Sequence, residues 1–233
     1  MIRICKKMYR GGVSVGSAFS AILSPAVGIL ISPFPIVGLI LILLSNKARI
    51  NSIFYTVGWI VGNIAIFFIG LFLMSSAVSS SGDQSTLVKV VLIVLGVLLI
   101  LLGAHDFTKR PKNGEKAATP KWFEKMSNIK PGGAMIFAFL LSAVNPKNML
   151  LSLTAGVSVG ALNLTGGQET TATIIFGIIA CCSIYIPTIA FLLAGNRLNN
   201  ALDSTRKWLI QNNSVIMAVL FLFIGLSVIS KAF

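Results

Sequence analysis

Charge is scarce in this chain, and acid above all. Of 233 residues only 6 are Asp or Glu, against 19 Lys or Arg, and charged residues make up 11% of the sequence. That is about half the share of a soluble globular domain, which excludes an ordinary cytosolic protein. Cysteine and histidine are scarcer still. Cys5, Cys181, Cys182 and His105 have no metal-ligand spacing, and adjacent cysteines rarely bond each other, so the thiols read as small apolar residues. No Walker loop, zinc motif or Ser/His/Asp set occurs, and the chain reads as a non-enzyme that needs no cofactor.

What the sequence has in abundance is apolar length. Hydrophobic residues make 55% of it, and the charges are swept into clusters between apolar runs of about 20 residues, the length that crosses a bilayer. The runs cover 11–46, 53–74, 87–103, 132–160, 171–194 and 214–230. A helix rises about 1.5 Å per residue and the hydrocarbon core is about 30 Å thick, so the first run is too long for one straight helix. It must start in the interface or break at Pro25, Pro33 or Pro35. The expected fold is an all-α polytopic membrane protein with six transmembrane helices in a single membrane domain, 1–233. Two inverted three-helix repeats, 13–103 and 132–230, flank a basic loop at 104–131. The basic stub Met1 to Arg10 resembles the start of a signal peptide, but no small-residue cleavage site precedes Pro25, so the stub is expected to be retained.

Six crossings put 45–52, 104–131 and 195–212 on one side, with twelve Lys or Arg against six on the side of the termini. The positive-inside rule then makes the three loops cytoplasmic and the termini external, in the cytoplasmic (inner) membrane. The stub argues the other way, and a re-entrant turn within 11–46 would reconcile the two signals. Placed like this, the net charge of +13 serves anionic lipid head groups, and nucleic acid is not an expected partner. Within the long loop, Trp122, Phe123, Met126 and Ile129 recur at helical spacing behind Pro120. They describe a short interfacial helix with Trp122 as anchor and Lys121 and Lys125 on its basic face. It serves either as a lipid-sensing gate or as a tether.

Each group of three spans opens with a proline-broken helix, at Ser32-Pro33-Phe34-Pro35 and at Asn145-Pro146-Lys147-Asn148. Paired interruptions in corresponding spans point to a transporter's central site, where freed backbone groups line a cavity. The alternative is a pair of packing kinks. Lys147 is the one charge deep in a span, and such a lysine is by default a functional residue. The acids Asp83, Asp106, Glu115, Glu124, Glu169 and Asp203 all fall in or near loops, so Lys147 is expected to have no carboxylate partner. An anionic substrate group would then be its counter-ion, aided by half-helix N-termini and by Ser32, Pro33, Pro35, Asn145, Pro146 and Asn148 around it. Snorkelling to a wet cavity or the interface is the competing reading. Gly58 and Gly62 form a GxxxG suited to close helix packing. Gly-Val-Ser-Val-Gly at 12–16 and 156–160 reads as compositional chance, and His105-Asp106 as a solvated loop pair.

The string Lys109-Arg110-Pro111-Lys112-Asn113-Gly114-Glu115, then Pro120-Lys121-Trp122, Ser142 to Leu151 and Ala155-Gly156, resembles the GAP family of actinobacterial membrane proteins. That family includes glycopeptidolipid- and sulfolipid-addressing proteins. Ile31 to Ile36, Leu44 to Arg49 and Gly58-Trp59 are similar to its opening pattern, with Asn46 where many relatives are expected to carry proline. The resemblance runs from about Ser24 onward and implies the lysine exporter (LysE) superfamily of six-span transporters. It implies an exporter or flippase of an anionic lipid, glycolipid or lipid-linked sugar for the cell envelope, by alternating access around a midplane site. Export of small polar solutes such as amino acids, and a non-transporting scaffold for envelope-lipid machinery, are the alternatives. A cationic amino-acid exporter would be expected to keep an acid near its site. The partners expected are membrane lipids or glycolipids, with a homodimer and envelope-lipid biosynthesis or export proteins as further candidates.

Overall fold

A computed structural model describes residues 15–80, 84–108, 126, 128–162 and 164–230. Lys121, Trp122 and Lys125, with the rest of the expected interfacial helix before Met126, lie outside the described residues, as do the basic stub and Cys5.

The described residues form helices and no strand. They are α1 (Val15–Leu30), α2 (Pro33–Leu43), α3 (Ala48–Ser80), α4 (Gln84–Thr108), α5 (Pro131–Ala143), α6 (Pro146–Gly160), α7 (Gly166–Ala194), a 3-10 turn (Gly195–Leu198) and α8 (Asn199–Ser230). Local chemistry sets several starts. Proline occupies the first turn of α2, α5 and α6, where its missing N–H costs nothing. Thr165 and Gln168 close a capping box on α7. Helices α3, α4, α7 and α8 are each long and apolar enough to cross a membrane. The other four form two pairs, α1–α2 bent by 50° and α5–α6 bent by 64°.

The second bent pair advances along α3 in one direction. A Cβ on Gly58 would stand 2.1 Å from the Met135 carbonyl oxygen, and one on Gly62 would stand 1.8 Å from Ser142 Oγ. Further along, a Cβ on Gly156 would meet the Phe67 carbonyl at 2.0 Å, and one on Gly160 the Leu71 carbonyl at 2.6 Å. So α5–α6 follows α3 from one end to the other as a single broken crossing. Among the described residues the chain thus has four clear apolar spans, and six where each bent pair counts as one crossing. Gly58 and Gly62 are thus the close-packing face their spacing predicts. Gly156 and Gly160 are another, since only a residue without a side chain admits backbone this near; most of the first copy of that pentapeptide lies outside the described residues.

Helix α3 packs along α5 and α6, α7 packs along α1 and touches α2, and α4 pairs with α8. Trp59, Tyr55, Phe67, Phe176 and Phe221 are fully buried, with Phe67 and Phe176 stacked at 4.8 Å. Phe72, Leu73, Leu193 and Phe223 point outward, as suits a surface solvated by lipid tails.

Described residues of the three expected loops meet at one end of the bundle. Asn46 bonds Asn128, Asn51 Nδ2 donates to Ile129 O at 2.9 Å, and the 45–50 turn shares a cavity with Phe191 and Gly195. One expected loop is not a loop. Residues 195–212 are helical, because Asp203 pairs with Arg206 and with Lys207 (2.7 Å) one turn on, and these bridges carry α8 beyond its apolar stretch.

Candidate functional site: an ion pair at the second helix break

Both breaks arise from proline's missing donor. In α1 the Ile29 carbonyl, which Pro33 cannot serve, accepts from Ser32 N at 3.1 Å. Helix α2 then starts with Ser32 as N-cap residue, whose hydroxyl makes no capping bond, and Tyr55 OH donates to the Pro35 carbonyl at 2.7 Å. In the second break Asn145 N bonds Leu140 O, leaving the Leu141 carbonyl to accept from Asn148 Nδ2 at 3.0 Å. Asn145 Oδ1 caps α6 by accepting from Lys147 N at 3.1 Å.

The breaks lie at one level of the bundle. A Cβ on Gly28 would touch Leu151, and one on Gly38 would touch Phe137 and Leu141. The two broken crossings are therefore antiparallel, and a register running through these contacts sets Ser32-Pro33 beside the turn at Asn145-Pro146. Ser32, Pro33, Pro35 and Asn148 are buried there, Asn145 and Lys147 half-buried, and Pro146 exposed.

Lys147 does have a carboxylate partner, contrary to expectation. Its ammonium bonds Asp106 Oδ2, with side-chain exposures of 18% and 11%, and stands 5.8 Å from the centroid of the Phe221 ring. The physical reason is that α4 runs past Gly103 to Thr108, and Asp106 continues the buried stripe of Leu92, Leu95, Leu99 and Gly103 at helical spacing. That stripe is visible in the sequence once the helix is extended by one turn. His105, one position away, stays exposed, so the solvated reading holds for it and fails for Asp106. Proline also limits the anion cradle. Pro33 and Pro35 remove donors from the first turn of α2, and in α6 Pro146 has none while the Lys147 N–H is capped.

A family model described as Sap, sulfolipid-1-addressing protein, matches residues 22–233. The chain belongs to this family. No curated protein and no solved structure matches it. In this sulfolipid-1-addressing family member the matched region contains both breaks, Asp106 and Phe221, in line with the resemblance to the GAP proteins.

A polar file runs from the second break along α3. Ser152 Oγ donates to Asn63 Oδ1 at 2.9 Å, and Asn63 Nδ2 donates to Trp59 O at 2.9 Å. One turn back on each of these parallel helices stand Trp59 and Asn148, whose Nε1 and Oδ1 are buried with no partner. Composition draws no attention to these groups. Only the α3–α6 contact brings Ser152 to Asn63.

Proposed function

We propose that the protein moves an anionic lipid, glycolipid or lipid-linked sugar of the cell envelope across the membrane, by alternating access around the two helix breaks. The observation that carries this reading is Lys147, held by Asp106 beneath Phe221 at the second break, in a member of a family named for addressing a sulfolipid. A phosphate or sulfate head group would replace Asp106 as the anion on Lys147. Exchange of one anion for another keeps the ammonium paired throughout, avoiding the several-kcal/mol cost of an isolated buried charge. Asp106, in the last turn of α4, would swing toward loop-side water. The unpartnered Trp59 Nε1 and Asn148 Oδ1 offer a donor and an acceptor for sugar hydroxyls. An apolar groove of about 350 Å³ between α4 and α8, lined by Gly103, Phe107, Ala218 and Leu222, would keep a chain in lipid beside the pair.

The packing supports two inverted repeats, 13–103 and 132–230, in the manner of the LysE superfamily. Exchanging α1 with α5, α2 with α6, α3 with α7 and α4 with α8 carries the main helix contacts onto one another. Rocking of one repeat against the other would open the breaks to each side in turn. The three basic segments, 45–52, 104–131 and 195–212, would face the cytoplasm by the positive-inside rule.

The test is reconstitution into vesicles with fluorescent anionic lipids and candidate glycolipids. Lys147→Gln should slow translocation at least tenfold, and equal rates in wild type and variant would overturn the assignment. Asp106 favours a second reading, because a zwitterionic amino acid could place its carboxylate on Lys147 and its ammonium on Asp106. Efflux of labelled amino acids without lipid movement would select it.

A further inference from the structure

We propose that the cavity between the α2–α3 turn and the end of α7 is a docking site for the head group of an anionic lipid. It goes beyond the transport reading, since it stands whether or not the lipid held there is carried.

The cavity measures about 610 Å³, and Ser45, Asn46, Lys47, Arg49, Ile50 and Phe191 line it. Lys47 and Arg49 are exposed, and the first turn of α3 holds no acid to offset them. Among the described residues no carboxylate reaches them. Asp106 is bound to Lys147, and Asp203 to Arg206 and Lys207. Glu169 stands in the first turn of α7, about 35 Å along that helix from the end lining the cavity. Two cations in one recess, with no carboxylate partner among the described residues, suit a phosphate or sulfate ester, the guanidinium by its two-pronged fork and the ammonium as a point charge.

What selects a lipid over a free anion is the surface beside the recess. Ile50, Ile53, Phe54 and Val57 are exposed at 47%, 45%, 37% and 43%. At positions i, i+3, i+4 and i+7 of α3 they form one apolar stripe leading from the cavity along the lipid-facing wall. A head group on Lys47 and Arg49 would therefore have its acyl chains against this stripe, as in the basic interhelical pockets that hold anionic lipids at a membrane surface.

The test is lipid retention by the whole protein in phosphatidylcholine nanodiscs doped with phosphatidylglycerol or a sulfated glycolipid, read by native mass spectrometry. The K47Q/R49Q double variant should retain the anionic lipid roughly tenfold more weakly, with an unchanged unfolding midpoint. Lys207→Gln, which removes an exposed charge already paired with Asp203, should retain it as wild type does. On a Lys147→Gln background, which removes the anion partner of the transport site, K47Q/R49Q should weaken retention by the same factor, so docking and transport fail separately. Equal retention by wild type and K47Q/R49Q would overturn the proposal. Displacement of the lipid by millimolar inorganic phosphate would overturn it too, as the mark of a free-anion site.

Discussion

The two helix breaks use the same device and finish it differently. At Ser32-Pro33-Phe34-Pro35 the backbone is sealed without charge. Ser32 N takes the orphaned Ile29 carbonyl, two prolines delete donors, and Tyr55 OH closes on Pro35 O. At Asn145-Pro146-Lys147-Asn148 the side chains do this work. Asn145 caps, Asn148 braces the Leu141 carbonyl, and Lys147 crosses to Asp106 on another helix. A proline break therefore makes a bend, and the residues beside it decide whether the bend is a quiet hinge or a polar site.

The comparison is broken most strongly at the ion pair. Asp106→Ala leaves the half-buried Lys147 without a counter-ion and should lower stability by about 2–4 kcal/mol, while the Lys147→Met/Asp106→Leu double variant should recover most of the loss. Unfolding midpoints in one detergent check this, and a double variant no more stable than the single would mean that the pair carries no desolvation cost. Next come the braces. Asn148→Ala should cost about 1–3 kcal/mol by orphaning a buried carbonyl, and Tyr55→Phe about 1 kcal/mol by removing one neutral hydrogen bond. The same midpoints rank them, and a larger loss from Tyr55→Phe would make the first break the more polar one. The smallest effects separate the caps. Asn145→Ala should cost about 1 kcal/mol, whereas Ser32→Ala, which removes no capping bond, should fall within about 0.5 kcal/mol of wild type.

Much of this was legible in the residues. Apolar length and swept charge give the crossings, proline positions give both breaks, and Gly58 and Gly62 mark a helix contact by spacing alone. Asp106 was hidden because charge and a neighbouring histidine resemble a loop, and only the buried stripe through Leu99 and Gly103 gives it away. The helical course of 195–212 was hidden likewise, since a polar stretch laced by bridges at i+3 and i+4 has the composition of a loop.

Sequence by itself determined that this chain is a bundle of membrane helices with breaks in its first and fourth crossings. Those features follow from local rules: the length of apolar runs, the missing N–H of proline and the missing side chain of glycine. Tertiary structure alone decided that Lys147 meets Asp106 and Phe221, that Ser152 meets Asn63, and that Lys47 and Arg49 share a recess with Phe191. Each of those depends on the register between helices distant in the chain, which is set by how the glycine-bearing faces pack.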